Sequence, residues 1–178
     1  MTKHCALIIF ALALSLMDDT AVAQQPPTHM APKREFAYGA FSVRFPQAPE
    51  VTREALPNTK VISTSYSYKG PTFMLMVVVL DMGREGTEKQ QTAVLDGGMQ
   101  NVLQKVTGLK VSPEGVTHII LRGHPGRRLN GTFYGGRIYF KAFATPRLQF
   151  QVEAMYDPAD DAARKAAEAF VDSFALKI

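Results

Sequence analysis

The residues best able to do chemistry in this sequence gather between positions 114 and 147. His118 and His124 are separated by five residues, with Glu114 close by, and a corner at Arg122–Pro125 would bring the two imidazoles near each other. Imidazole and carboxylate are ligands for a divalent metal, but a stable site needs a fuller donor set in a closed geometry. At least one further ligand is required, so no metal ligands are assigned. The alternative places His118 in a strand and His124 in its turn. The same stretch carries Arg122, Arg127, Arg128, Arg137 and Arg147, interleaved with Tyr134 and Tyr139. Consecutive strands would let several guanidinium groups converge on one surface, and arginine with tyrosine is favoured at protein interfaces. A solvated sheet edge whose charges discourage edge-to-edge pairing is the other reading.

A third candidate is Gly83-Arg84-Glu85-Gly86-Thr87, just before a helical pattern. Free backbone N–H groups and the helix dipole, with Arg84, would suit an anion there. An ordinary strand-to-helix loop capped by Thr87 competes with that reading, because the cap already satisfies one donor. The sequence has no G-x-S-x-G, no H-E-x-x-H and no G-x-x-x-x-G-K-[ST], so the common hydrolase, metalloprotease and phosphate-loop signatures are missing. No cofactor is implied.

The first residues set the compartment. Lys3, an apolar run Cys5–Met17, then Ala21-Val22-Ala23 read as a secretory signal peptide, residues 1–23, cleaved after Ala23. Thirteen apolar residues fall short of the ~20 that span a bilayer, so no transmembrane segment is expected in the mature chain. Cys5 is the sole cysteine, which leaves a mature chain without disulfide, thiol nucleophile or thiolate metal site. The mature balance is 19 basic against 14 acidic residues. This suits anionic lipid head groups or acidic polymers in the periplasm or outside the cell, and falls short of the dense basic stripe of a nucleic-acid binder.

Residues 24–37, with three prolines in QQPPTHMAP around His29, read as a flexible leader, and 38–178 as one domain. Thr72–Met82 is apolar on both faces and predicts a buried central strand. Strands are expected at 40–45, 49–56, 61–68, 109–112, 116–122, 126–133, 137–144 and 148–156, with short turns that favour antiparallel neighbours. In the last of these, Leu148, Phe150, Val152 and Ala154 mark the buried face against Gln149, Gln151 and Glu153. Thr87 and Gln90 form a capping box for a helix over 88–106, and Gly97-Gly98 inside it marks close approach to the sheet. Asp157-Pro158 opens a second helix running to about Asp172. Two helices and a doubly apolar strand predict an α+β fold, an antiparallel sheet sandwiched by helices in three layers, α/β/α.

Phe41-Ser42-Val43-Arg44-Phe45-Pro46, Leu95-Asp96, Gly123-His124-Pro125-Gly126-Arg127 and Phe170-Val171-Asp172-Ser173-Phe174 resemble small exported bacterial domains. These are related in fold to the PsbP extrinsic proteins of photosystem II, to DcrB-type periplasmic proteins and to a nuclear-transport factor that binds the Ran GTPase. The resemblance implies a PsbP-like sandwich and a non-enzymatic accessory or binding role, and transfers no site residues. Two readings of function result. One is a periplasmic or secreted module that meets an acidic protein or envelope component through the 122–147 arginine and tyrosine residues. The other is a ligand carrier or enzyme with a pocket between sheet and helix, using Arg84, His118 or His124.

Overall fold

The strand that the pattern places at the centre is there: β5, Phe73–Asp81, pairs along its whole length with β4, Ile62–Lys69, and with β9, Leu148–Tyr156. The computed structural model describes residues 34–106 and 108–178. The stretch read as a signal peptide, most of that read as a leader, and His29 lie outside the described residues. Adding β3 (Glu50–Ala55), β6 (Lys110–Leu121), β7 (His124–Phe133) and β8 (Gly136–Ala144) gives a seven-stranded sheet, in the order β3-β4-β5-β9-β8-β7-β6. Every neighbouring pair is antiparallel. The stretches 109–112 and 116–122 form a single strand, β6, whose register shifts between Val111 and Val116. A bulge lets one strand keep pairing across Pro113, which has no N–H to give.

A second, three-stranded sheet has the order β1-β2-β10, with β1 at Arg34–Ala37, β2 at Phe41–Phe45 and β10 at Ala175–Leu176. β1 therefore begins inside the stretch assigned to a leader, paired with β2 from Arg34–Phe45 to Ala37–Ser42. The helices are α1, Glu88–Lys105, and α2, Asp161–Ser173. α1 starts with the reciprocal Thr87–Gln90 capping box. α2 starts three residues later than Asp157 suggests, because Asp160 accepts from the N–H groups of Ala162 and Ala163, while Asp157 turns the chain by accepting from Ala159 N.

The three-layer α/β/α, PsbP-like expectation is corrected by this architecture. Of the described residues 51% are strand and 21% helix, so the fold is β-rich. Its covers are not complete layers of helix: one is shared with a second sheet and the other is a single helix that covers part of its face. On one face, Leu75 and Val77 of β5 and Phe150, Val152 and Ala154 of β9 pack against Ala163, Ala167 and Phe170 of α2. Phe41, Val43 and Phe45 of the second sheet share that cover, with Phe174 and Leu176. On the other face α1 places Leu95, Met99, Val102 and Val106 over Leu129, Ile138, Phe140 and Ala142, and stops there. Leu56, Val61, Met76, Val78 and Leu80 form a separate cluster on the same face beyond the helix.

Phe41 binds the two sheets together. It is 1% exposed, and its ring lies 5.4 Å from Tyr66, 5.9 Å from Phe150 and 5.7 Å from Phe174. Such aromatic contacts add to the area that they bury. Replacing Phe41 with Ala is expected to lower the unfolding free energy by about 3–5 kcal/mol, measured by urea denaturation. A loss of under about 1 kcal/mol would mean that the second sheet contributes little to the core.

Candidate functional site

Small side chains open a groove where the two clusters on the α1 face meet. Ala93, Gly97 and Gly98 on α1 stand over Ala144 of β8 and over β9, and together with Leu56, Val61, Leu80 and Val94 they enclose a cavity of about 560 Å³. That size lies within the usual range of small-molecule sites, roughly 300–1,000 Å³. Arg84 and Gln90, both exposed, stand at its rim.

Its floor is polar. Because β9 pairs with β5 on one side and β8 on the other, three cross-strand rows are defined: Leu80–Gln149–Ala144, Val78–Gln151–Ala142 and Met76–Glu153–Phe140. The alternation in β9 therefore does not separate a core face from a wet one. Gln149 is 3% exposed, Gln151 8% and Glu153 2%. A Cβ built on Gly98 would stand 3.1 Å from Gln149 Nε2 and 3.9 Å from Gln151 Nε2, so both amide nitrogens lie close under Gly98 of the helix. The Gly97-Gly98 pair thus marks close approach, and the approach is to these two amides. Gln149 Nε2 meets no acceptor among the described residues, a state that costs about 1–3 kcal/mol for a buried polar group.

Glu153 lies one row deeper, where its apolar setting pushes its carboxyl up to about 7. Its Oε1 has no partner among the described residues. Folding therefore holds a proton that the unfolded chain releases near 4.5, the ordinary value. The Glu153 contribution to stability is expected to fall as pH climbs through the window from 4.5 to about 7 and to be flat on either side. Glu153→Gln should remove that fall, gaining roughly 1–3 kcal/mol near neutral pH and nothing at low pH. Urea unfolding of both proteins across this range tests it, and parallel pH profiles would refute it.

The residues singled out from the sequence are scattered by the fold. Register pairs His118 with Arg127 and His124 with Leu121, which puts the two imidazoles on opposite faces of the sheet. No group of three or more His, Cys, Asp or Glu side chains suited to a metal occurs among the described residues. Arg127 and Arg128, adjacent in β7, also point to opposite faces. Arg127 is 5% exposed and is held by Asp96 of α1, which accepts from Nε at 3.0 Å and from Nη2 at 2.8 Å. Arg128 is exposed and shares a face with Arg137 and Lys141 through the pairings Arg128–Lys141 and Thr132–Arg137. Arg122 sits in the β6–β7 turn with φ +51°, and Tyr134 projects from the β7–β8 turn, 80% exposed. Arg147 reaches Asp81 with two hydrogen bonds, at 3.0 and 2.9 Å, which hold the Asp81 carboxyl below its usual range.

At Gly83–Thr87 three of the five backbone donors are engaged within the protein. Gly83 N donates to Asp81 Oδ1, Gly86 N to the Pro146 carbonyl and Thr87 N to Gln90 Oε1. To the groove this loop contributes Arg84 and Gly86.

The sequence matches no family model and no curated protein. Among solved structures it is similar to LpqN of Mycobacterium tuberculosis, a protein involved in cell envelope biogenesis. That match has 13% identity over 83% of this chain and 87% of that one, with a TM-score of 0.50. PA94 of Pseudomonas aeruginosa, a protein of unknown function described as a putative regulator, aligns over 76% of this chain and 90% of its own, with 13% identity and a TM-score of 0.41. The likeness to LpqN is one of fold. These neighbours are small bacterial proteins, and they show no link to the PsbP or DcrB groups. Among the described residues no helix is long and apolar enough to cross a membrane.

The two neighbouring arginines allow a sharp comparison. Arg127→Glu places a carboxylate against Asp96 in a buried position and is expected to cost about 3–5 kcal/mol. Arg128→Glu, on the exposed face, should stay within about 0.5 kcal/mol of the parent. Equal, small shifts in the urea midpoint for both would contradict the Arg127–Asp96 anchor.

Proposed function

We propose that this chain is an exported binding module of the bacterial cell envelope that holds a small ligand in the groove between α1 and the sheet. The observation that carries the reading is the groove itself, apolar on its walls with two buried amides on its floor. Such a combination of apolar lining with a few convergent polar groups is the usual make-up of a ligand pocket. The envelope assignment draws on the Lys3–Ala23 leader pattern, with cleavage after Ala23 into the periplasm or beyond, and on the likeness to LpqN. The role is one of binding. The polar side chains that line the groove are amides, one threonine hydroxyl and one guanidinium, and none of these is a proton acceptor near neutral pH.

A second surface supports the partner reading. Arg128 and Arg137 lie exposed on one face of the β7–β8 pair, an arrangement suited to an acidic protein or envelope component. The two readings are compatible, since a carrier must deliver its cargo somewhere.

Gly98→Leu tests the groove. Leucine suits a helix better than glycine by about 0.5–1 kcal/mol, and its Cβ, 3.1 Å from Gln149 Nε2, would push that flexible side chain aside as the leucine entered the groove. Native mass spectrometry of the mature protein purified from its own envelope should find the parent carrying a bound small molecule and the folded variant empty. A parent without bound mass, or a variant that retains the same mass, would overturn the reading.

A further inference from the structure

The large sheet has two open edges and treats them differently. β3, six residues long, carries Glu50, Arg53 and Glu54, the kind of charged side chains that keep an edge from taking a further strand. At the other end, β6 pairs with β7 alone among the described strands. Its first half is guarded by Lys110, Pro113 and the register shift before Val116. From Val116 to Leu121 the register with β7 is regular, and the run Val-Thr-His-Ile-Ile-Leu holds no Asp, Glu, Lys or Arg. Ile120 stands 79% exposed in it. It shares the α1 face with Val116 and His118, because His118 pairs with Arg127, which Asp96 of α1 holds. A regular edge without charge is a template for another strand.

The side chains of this run complement a second copy of themselves. Antiparallel pairing of two β6 strands about a two-fold axis through His118 sets Val116 of each copy opposite Ile120 of the other, and Thr117 opposite Ile119. The exposed Ile120 thereby gains an apolar neighbour. Just beyond the paired run, exposed Glu114 of one copy comes level with exposed Arg122 of the other, and symmetry repeats the match. Moving the axis by one residue, to Ile119, would set Ile120 against His118 and Arg122 against Val116 and lose both matches. The geometry points to a homodimer joined edge to edge through β6, in the register centred on His118. None of the residues that line the groove belongs to β6, so both grooves stay open. An axis perpendicular to the sheet keeps α1 of both copies on one side, and the dimer presents two grooves in the same direction. A joint of one strand from each copy falls below the roughly 1,200 Å² of a standard interface, which makes the dimer weak, with a dissociation constant on the order of 10–100 μM.

Sedimentation velocity of the mature protein from about 5 to 500 μM, a range that brackets the affinity expected of so small an interface, should show reversible exchange between monomer and dimer. Ile120→Lys, at an exposed position where folding is little affected, should weaken association by about ten-fold or more. Glu114→Arg and Arg122→Glu should each weaken it about five-fold, and the two together should restore it, since the dimer holds each surface ion pair twice. Register is read by cross-linking, because the mature chain has no cysteine of its own. Facing Cα atoms across an antiparallel joint lie ≈4.5–5.5 Å apart, within disulfide reach, so His118→Cys should link the two copies on mild oxidation. In Ile120→Cys the two thiols would lie four residues apart along the strands, about 14 Å, and should not link. The proposal is overturned if the parent stays monomeric up to about 500 μM, or if species larger than the dimer form, as head-to-tail pairing of β6 with β3 would produce. It also falls if Ile120→Lys associates like the parent, if the charge exchange fails to restore association, or if Ile120→Cys links as readily as His118→Cys. Each of these outcomes is independent of whether the groove holds a ligand.

Discussion

Strands β5 and β9 lie side by side at the centre of the large sheet, and neither has a face that water reaches freely. Val77 and Val152 are fully buried on one side, and Val78 and Gln151 are nearly so on the other. A sheet with two such faces must be covered twice, and everything else in the fold is a way of meeting that demand. One cover is α2 with the second sheet, tied by a run of rings from Tyr38 and Phe41 through Phe174 to Phe143. The other is α1, which is anchored over β7 by the Arg127–Asp96 pair. A single helix is about 10–12 Å wide with its side chains, whereas strands are spaced ≈4.7–4.9 Å apart. It spans two or three strands and no more, so the cover ends at β9.

That shortfall explains why a polar column runs along the α1 face of β9. Under the helix the partners are Phe140 and Ala142, and beyond it they are Met76 and Val78. Gln149, Gln151 and Glu153 stand on the seam between the two apolar clusters. A continuous leucine or valine column would join those clusters into one core and close the groove. Amides on the seam keep it open at a cost in unpaired hydrogen bonds. Gly98 lets the helix backbone lie close over Gln149, and Ala93, Gly97 and Ala144 leave the space beside it unfilled.

Much of this scaffold was legible in the residues. The doubly apolar run at 73–81, the Thr87–Gln90 box and the short turns between β6 and β9 each predict an element that is present, because each depends on neighbours in sequence. The second sheet was less legible. Its strands β1 and β10 are four and two residues long, too short for periodicity to register, and β10 meets β2 only after the whole chain has folded. The groove was hidden for another reason. Alternating Gln-x-Gln-x-Glu reads as a solvent face when each strand is taken alone, and burial of that face depends on where a helix 50 residues earlier in the chain comes to rest. The signal that was present lay in two places at once: Gly97-Gly98 in the helix, and amides where a wet strand more often carries charge.

The arginine group shows how tertiary structure redistributes charged residues that look alike in sequence. Arg127 anchors α1, Arg147 fixes the β8–β9 turn against Asp81, and Arg122 takes a left-handed turn. Only Arg128 and Arg137 stay exposed on one strand face. Exposed charges steer partners and are screened by salt within about 8–10 Å, so they favour encounter over discrimination. Buried amides behave in the opposite way. They are hidden from solvent, and one left without a partner, as Gln149 Nε2 is among the described residues, costs about 1–3 kcal/mol. In this fold the exposed arginines lie on β7 and β8 and the seam amides on β9, so each group can be altered without touching the other.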